Sequence, residues 1–237
     1  MRSAGRSIER EGAPSRRPTE APDGNVAVRI QTMNPAPNLV LVGPMGAGKT
    51  CVGRRMAERF GLRLVDADHE IERLAGASIN TIFEVEGEAG FRAREHAVLA
   101  TLLQDHGIVL STGGGAVLDP DNRRLMRERG FVVHLQVSVE QQLARLARDR
   151  SRPLIARGDR EQVLRDLSVR RAPFYAEVAD LVFDTDRHDG PAAAEWLARE
   201  LDLHWHRTAD TRASSATAEQ CEDGPDAGPA SPHTETR

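Results

Sequence analysis

Gly43-Pro44-Met45-Gly46-Ala47-Gly48-Lys49-Thr50 fits the pattern G-x-x-x-x-G-K-[ST]. That spacing suits the cradling of a phosphate chain. Glycines let successive backbone N–H groups turn inward around phosphate oxygens, and a helix opening at Gly48 adds the positive end of its dipole. An ammonium at Lys49 can reach terminal phosphates, and a hydroxyl at Thr50 can ligate Mg2+. Composition singles out the same residue, because of 32 basic residues only Lys49 is a lysine. A chain that otherwise uses arginine keeps one compact ammonium where a planar fork would differ in shape. The plain alternative is a Gly-rich turn that caps a helix.

Three further groups could complete a reaction site. Asp66 and Asp68 stand two apart at the end of an apolar run, so their side chains point the same way if the strand persists that far. Two carboxylates aimed at a phosphate site can hold metal water and accept a hydroxyl proton; otherwise Asp68 only caps the next helix. Ser111-Thr112-Gly113-Gly114-Gly115 also follows an apolar run, and three glycines permit close approach to a ligand, or make a flexible turn. Arg148 to Gly158 is basic and punctuated by Pro153 and Gly158. It suits a mobile lid over phosphates, or an ordinary solvated loop.

These groups need elements to hold them. Leu39–Val42, Arg63–Val65, Ile108–Leu110, Phe131–Leu135 and Leu181–Phe183 read as short buried strands. Helical patterns run over 48–60, 70–74, 79–84, 88–104 and 192–201. Asp119-Pro120 has the form of an N-cap with proline at the first helical position. Ser138 to Gln141 has the form of a capping box. Short buried strands alternating with helices predict an α/β fold: a doubly wound, five-stranded parallel sheet flanked by helices. Ligands in such sheets bind at the carboxyl ends of the strands, where Gly43–Thr50, Asp66–Asp68 and Ser111–Gly115 all fall. Residues 1–37 and 207–237 are polar and lack sustained apolar periodicity, so they read as disordered tails around one domain over 38–206. Met33 is a candidate alternative start.

Bulk properties exclude several classes. A net charge of −4 gives no electrostatic footprint for nucleic acid. No run approaches the length of a membrane helix, and no secretory signal is visible. The two cysteines, Cys51 and Cys221, are far apart and form no CxxC pair. A disulfide framework or zinc site is therefore not expected, and the cytoplasm is the expected compartment.

Taken with Gly90-Phe91-Arg92, Arg152-Pro153-Leu154 and Arg171-Ala172-Pro173-Phe174-Tyr175, these stretches make residues 39–201 resemble the shikimate kinase family. The resemblance implies a nucleoside-monophosphate-kinase-like fold with a mobile lid and a small substrate subdomain. It implies transfer of the γ-phosphoryl group of ATP to the 3-hydroxyl of shikimate, with Mg2+ as cofactor. Gly46, Ala47, Gly48, Lys49, Thr50 and Cys51 would hold the ATP phosphates. Thr50 would bind Mg2+ directly, with Asp66 and Ser111 orienting its waters. Asp68 would contact the shikimate hydroxyls as candidate base. Arg92 and Arg171 would grip the shikimate carboxylate, with backbone at Gly114 completing the pocket. Arg152 would reach the transferring phosphate and Arg145 would lie against the nucleotide; contacts to adenine near 186–191 stay open. Shikimate and ATP are the expected partners of a monomer that binds neither nucleic acid nor membrane. The rival readings are a gluconate or nucleoside monophosphate kinase, and a non-catalytic nucleotide-binding regulator. A GTPase is excluded, since its N-K-x-D motif needs a second lysine.

Overall fold

The computed structural model describes residues 35–147, 159–187 and 190–208. The N-terminal segment through residue 34, the basic segment expected to form a lid with Arg152, and the C-terminal segment from residue 209 lie outside the described residues.

Five strands, β1 (Asn38–Val42), β2 (Arg63–Asp66), β3 (Ile108–Ser111), β4 (Gly130–Gln136) and β5 (Leu181–Asp184), form one parallel sheet in the order β2-β3-β1-β4-β5. Between them run helices α1 (Lys49–Phe60), α2 (Ala67–Ala75), α3 (Ile79–Leu102), α4 (Pro120–Arg129), α5 (Val139–Leu146), α6 (Arg160–Val178) and α7 (Gly190–His204). Side chains alternate along β1, so its apolar run feeds two cores. Leu39 and Leu41 pack with Met56 of α1 and Leu197 of α7, whereas Val40 and Val42 pack with Leu99 of α3 and Met126 of α4. Neighbouring strands β1 and β3 therefore send their chains to opposite faces. The crevice this opens at their carboxyl ends is where open α/β sheets bind ligands.

Local chemistry sets the boundaries. Asp119 accepts from the N–H groups of Asp121 and Asn122 ahead of α4, with Pro120 in its first turn, and Ser138 accepts from Gln141 N–H ahead of α5. The span Ile79–Leu102 is two helices that meet at Gly87, whose backbone is not helical (φ 70°, ψ −173°), in keeping with the two expected over 79–84 and 88–104. The stacked rings of Phe83 and Phe91 pack across that junction, with centroids 4.7 Å apart.

The first packed residue comes before the expected edge at Asn38. Ala36 is buried; its N–H donates to His206 O at 3.2 Å, and its carbonyl accepts from Trp205 Nε1 at 3.0 Å. The indole thus ties the beginning of the domain to its end. Asn38 itself is buried, with both amide functions used. Its Nδ2 donates to the carbonyls of Asp105 and Arg129, and its Oδ1 accepts from Ile108 N–H. Among the described residues no helix is long and apolar enough to cross a membrane.

Candidate active site

The phosphate-loop motif follows the last residue of β1 and runs into α1, whose first two residues are Lys49 and Thr50. Gly46 and Gly48 take left-handed backbone (φ 78° and 86°), which lets the chain coil tightly. No side chain caps α1 at Gly48 and its first turn holds no acidic residue, so its N–H groups face the loop with their positive end uncompensated. Lys49 Nζ donates to Gly43 O at 2.8 Å and Pro44 O at 2.9 Å, which holds the ammonium over the loop. Cys51 is exposed one residue beyond Thr50.

Thr50 Oγ1 donates to Asp66 Oδ2 at 2.7 Å and lies 3.4 Å from Ser111 Oγ. Residues from α1, β2 and β3 thus bring three hard oxygen donors together, the chemistry suited to Mg2+. The aspartates divide their work differently from the expectation of two side chains along one strand. β2 ends at Asp66, and Asp68 already belongs to α2. The cap of that helix is Asp66, whose Oδ1 accepts from the N–H groups of Asp68 at 3.1 Å and His69 at 3.4 Å. Asp68 is released from capping and lines a neighbouring cavity of about 350 Å³.

That cavity lies beside the phosphate loop. Asp68, Glu72, Arg92, Glu95 and Arg171 furnish its charges, and Ile79, Phe83 and Phe91 its apolar wall. The three glycines after β3 are needed for close packing. A Cβ on Gly113 would lie 2.8 Å from both Asp68 Oδ1 and Glu95 Oε1, one on Gly114 3.2 Å from Arg171 Nη1, and one on Gly115 2.6 Å from Arg92 Nη1. Each glycine clears the space of a charged group.

Glu95 was not singled out in the sequence. It is 1% exposed, and its Oε2 accepts from Arg92 Nη1 at 2.6 Å. Burial pushes its carboxyl up, while the Arg92 guanidinium opposes that shift. The buried Oε1 of Glu95 and the Nε atoms of Arg92 and Arg171 have no hydrogen-bond partner among the described residues. The available signal was spacing: Arg92 and Glu95 stand three apart on one helix face. Glu72 was missed too; its Oε1 accepts from Ile79 N–H at 3.0 Å and pins the start of α3 to α2.

Arg145 joins the loop to the far edge of the sheet. Its Nη1 donates to Gly46 O at 3.0 Å, and its Nη2 donates to Thr185 O, just past β5, at 2.9 Å. Nearby, Asp186 Oδ2 accepts from Ser138 N–H at 2.9 Å, the bond the Gln141 side chain would accept in the expected capping box, so this aspartate and not Gln141 completes the entry to α5. The structure therefore brings together every expected site residue except Arg152, which lies outside the described residues.

A phosphate loop, a hard-oxygen cluster and an adjoining polar cavity on a 2-3-1-4-5 parallel sheet define a P-loop phosphotransferase acting on a small molecule. A family model described as shikimate kinase matches residues 45–202, more than half of the chain. A shikimate kinase of Stenotrophomonas maltophilia is 60% identical over 175 residues, 74% of this chain and 97% of the relative. One from Xanthomonas oryzae pv. oryzae is 55% identical over 186 residues, 78% of this chain and 100% of the relative. The solved structure of shikimate kinase from Acinetobacter baumannii in complex with shikimate shares 49% identity, covering 72% of this chain and 94% of that one, with a TM-score of 0.67. The chain belongs to the shikimate kinase family, and its reaction is the ATP-dependent phosphorylation of shikimate.

Proposed function

We propose that the cavity between Asp68, Arg92 and Arg171 seats shikimate, and that the phosphate loop presents the γ-phosphoryl group of ATP to its 3-hydroxyl. The observation that carries this reading is that Asp68, Arg92 and Arg171 line one cavity together with Met45 of the phosphate loop. The guanidinium groups of Arg92 and Arg171 take the shikimate carboxylate, offsetting its repulsion from ATP and fixing its orientation. The backbone of Gly114 closes the pocket beneath it. Asp68 then lies next to the reacting hydroxyl and accepts its proton as the new O–P bond forms and the bond to the β-phosphate oxygen breaks.

On the donor side, the amides from Gly46 to Cys51 and the ammonium of Lys49 hold the phosphates, with Arg145 against the nucleotide. Thr50 would hold Mg2+ directly and Asp66 and Ser111 through water, where the ion would neutralise phosphate charge. Arg152 is assigned to the transferring phosphoryl group by its place in the basic segment that the family uses as a lid. Closure of that segment would exclude water as a competing acceptor. Catalysis on this account is positioning and charge neutralisation rather than covalent chemistry.

ADP release from Mg-ATP tests the reading. It should depend on shikimate and fall to background when gluconate or a nucleoside monophosphate replaces it. Equal rates with and without shikimate would refute it. We also read the chain as a cytoplasmic monomer that binds neither nucleic acid nor membrane. Sedimentation at working concentration would overturn the first part by finding a dimer.

A further inference from the structure

The loop Gly113–Gly115 is built as a rigid element. Ala116 N–H donates to Gly113 O at 3.2 Å and Leu118 N–H to Gly115 O at 3.0 Å, both from the short turn that follows. The middle carbonyl, Gly114 O, is held from a distant part of the chain, accepting from the Tyr175 hydroxyl at 2.6 Å. Tyr175 is 3% exposed, and burial pushes its phenol up to about 12, with the nearby Arg171 opposing the shift. The hydroxyl therefore remains a donor throughout the neutral range. The ring is fixed as well, stacked on His134 with centroids 4.6 Å apart and planes 16° apart.

Arg171 stands one helical turn before Tyr175 on α6, so both side chains leave the same face. Arg171 Nη1 lies 3.2 Å from where a Cβ of Gly114 would be, while Tyr175 holds the carbonyl of the same residue. Gly114 is thus set by two consecutive turns of one helix. Its peptide plane forms the floor of the cavity between Arg171 and the phosphate loop, where a Cβ would also meet Gly43 O at 3.4 Å.

We propose that Tyr175 is a positioning residue for the acceptor: its hydroxyl orients the Gly114–Gly115 peptide so that the cavity floor and Arg171 receive shikimate in register with the phosphate loop. This rests on the reading that shikimate occupies that cavity. The residue never touches the reacting atoms, and its effect passes through Gly114 and through Arg171, whose guanidinium also interacts with its hydroxyl.

Tyr175→Phe keeps the ring and its stack and removes one hydroxyl. With wild-type turnover of shikimate established first, the variant should show an apparent KM for shikimate raised roughly tenfold, the scale of one buried hydrogen bond. The KM for ATP and the Kd for ADP should stay within about twofold, below the scale of one lost hydrogen bond. An unchanged shikimate KM overturns the proposal, as does an equal loss for both substrates, which marks a purely structural role. A second measurement needs no substitution in the sequence, because Tyr175 is the chain's single tyrosine. Wild-type protein grown with 3-fluorotyrosine gives one fluorine resonance. That resonance should move on saturation with shikimate, and its failure to move would overturn the proposal even if the phenylalanine variant did not fold. Absence of any shikimate turnover in the wild type would instead strike the reading of the site.

Discussion

A Cβ placed on Gly115 would lie 2.6 Å from Nη1 of Arg92 and 2.7 Å from its Cζ. Gly115 has φ −99° and ψ −5°, backbone that any residue adopts. Alanine is therefore opposed by the guanidinium alone, and the guanidinium is the far end of a flexible side chain that can yield. Gly115→Ala should displace Arg92 and, because this strains the pair with Glu95 without removing it, lower the melting temperature less than Arg92→Ala does. The expected result is a shikimate KM raised roughly tenfold or more, on the scale of a lost charge-assisted hydrogen bond, with ATP unaffected. Steady-state kinetics with each substrate varied in turn checks it.

Removing either arginine outright should cost more. Breaking one partner of a desolvated charge pair costs roughly 3–5 kcal/mol, a hundredfold or more in affinity. Arg92→Ala and Arg171→Ala should each weaken shikimate binding by about that much, with Kd for ADP nearly unchanged. Arg92→Ala should also destabilise the fold, since it strips Glu95 of its 2.6 Å partner. Calorimetric titration of both ligands decides; retained shikimate affinity in both variants would remove the carboxylate role.

Asp68→Asn isolates charge from shape. Because Asp66 caps α2, the substitution leaves that helix intact. Turnover should fall by about a hundredfold or more, the range of a general-base contribution, with nucleotide affinity kept. Near-normal turnover would show that Asp68 accepts no proton.

Lys49 is the only lysine in the chain, so an amine-directed acylating reagent can modify only Lys49 and the α-amino group. Saturating Mg-ATP should shield Lys49 and leave the terminus reactive, as read by peptide mapping. Lys49→Arg should fail despite its charge, because its planar fork cannot reproduce the bonds from Nζ to Gly43 O and Pro44 O. Equal labelling with and without nucleotide, together with a fully active arginine variant, would sink the assignment.

His134 carries a pH signature. Burial, and secondarily the charge of Lys49, push its imidazole down from 6.5 to about 4. A depressed value means the fold favours the neutral ring. Its contribution is whole above pH 6.5 and is lost as the pH falls from there towards about 4. The loss amounts to about 3 kcal/mol at one unit per 1.4 kcal/mol. Glu95, with its raised carboxyl, acts in the opposite sense, losing stability as pH rises through its folded value. The test is therefore a difference: melting temperature across this range should fall less steeply in His134→Gln than in wild type. Parallel curves would count against a neutral His134.

Much of this molecule could be read without coordinates, because its signals are local. The phosphate loop depends on neighbouring backbone geometry, so Gly46, Gly48 and Lys49 announced it by spacing. The five strands were legible because strands buried on both faces read as continuous apolar runs. The caps at Asp119 and Ser138 were legible because a cap bonds only its own first turn. Even the arginines of the cavity were named, though by resemblance to a family rather than by anything in the residues.

What the sequence could not decide were relations across the sheet. Spacing paired Asp66 with Asp68 on one strand and made Asp68 the candidate cap, until the end of β2 and the start of α2 gave the cap to Asp66 and the cavity to Asp68. The three glycines read as room for a ligand or as a flexible turn; only tertiary packing brought Asp68, Glu95, Arg171 and Arg92 against them. Glu95 was not singled out, and Tyr175 entered only as the last residue of the stretch from Arg171. Their roles depend on burial and on partners: Tyr175 bonds a carbonyl 61 residues away. Local spacing encodes a helix, a turn or a phosphate loop. The desolvation of a carboxylate and the direction of a hydroxyl depend on which segments the fold stacks around them.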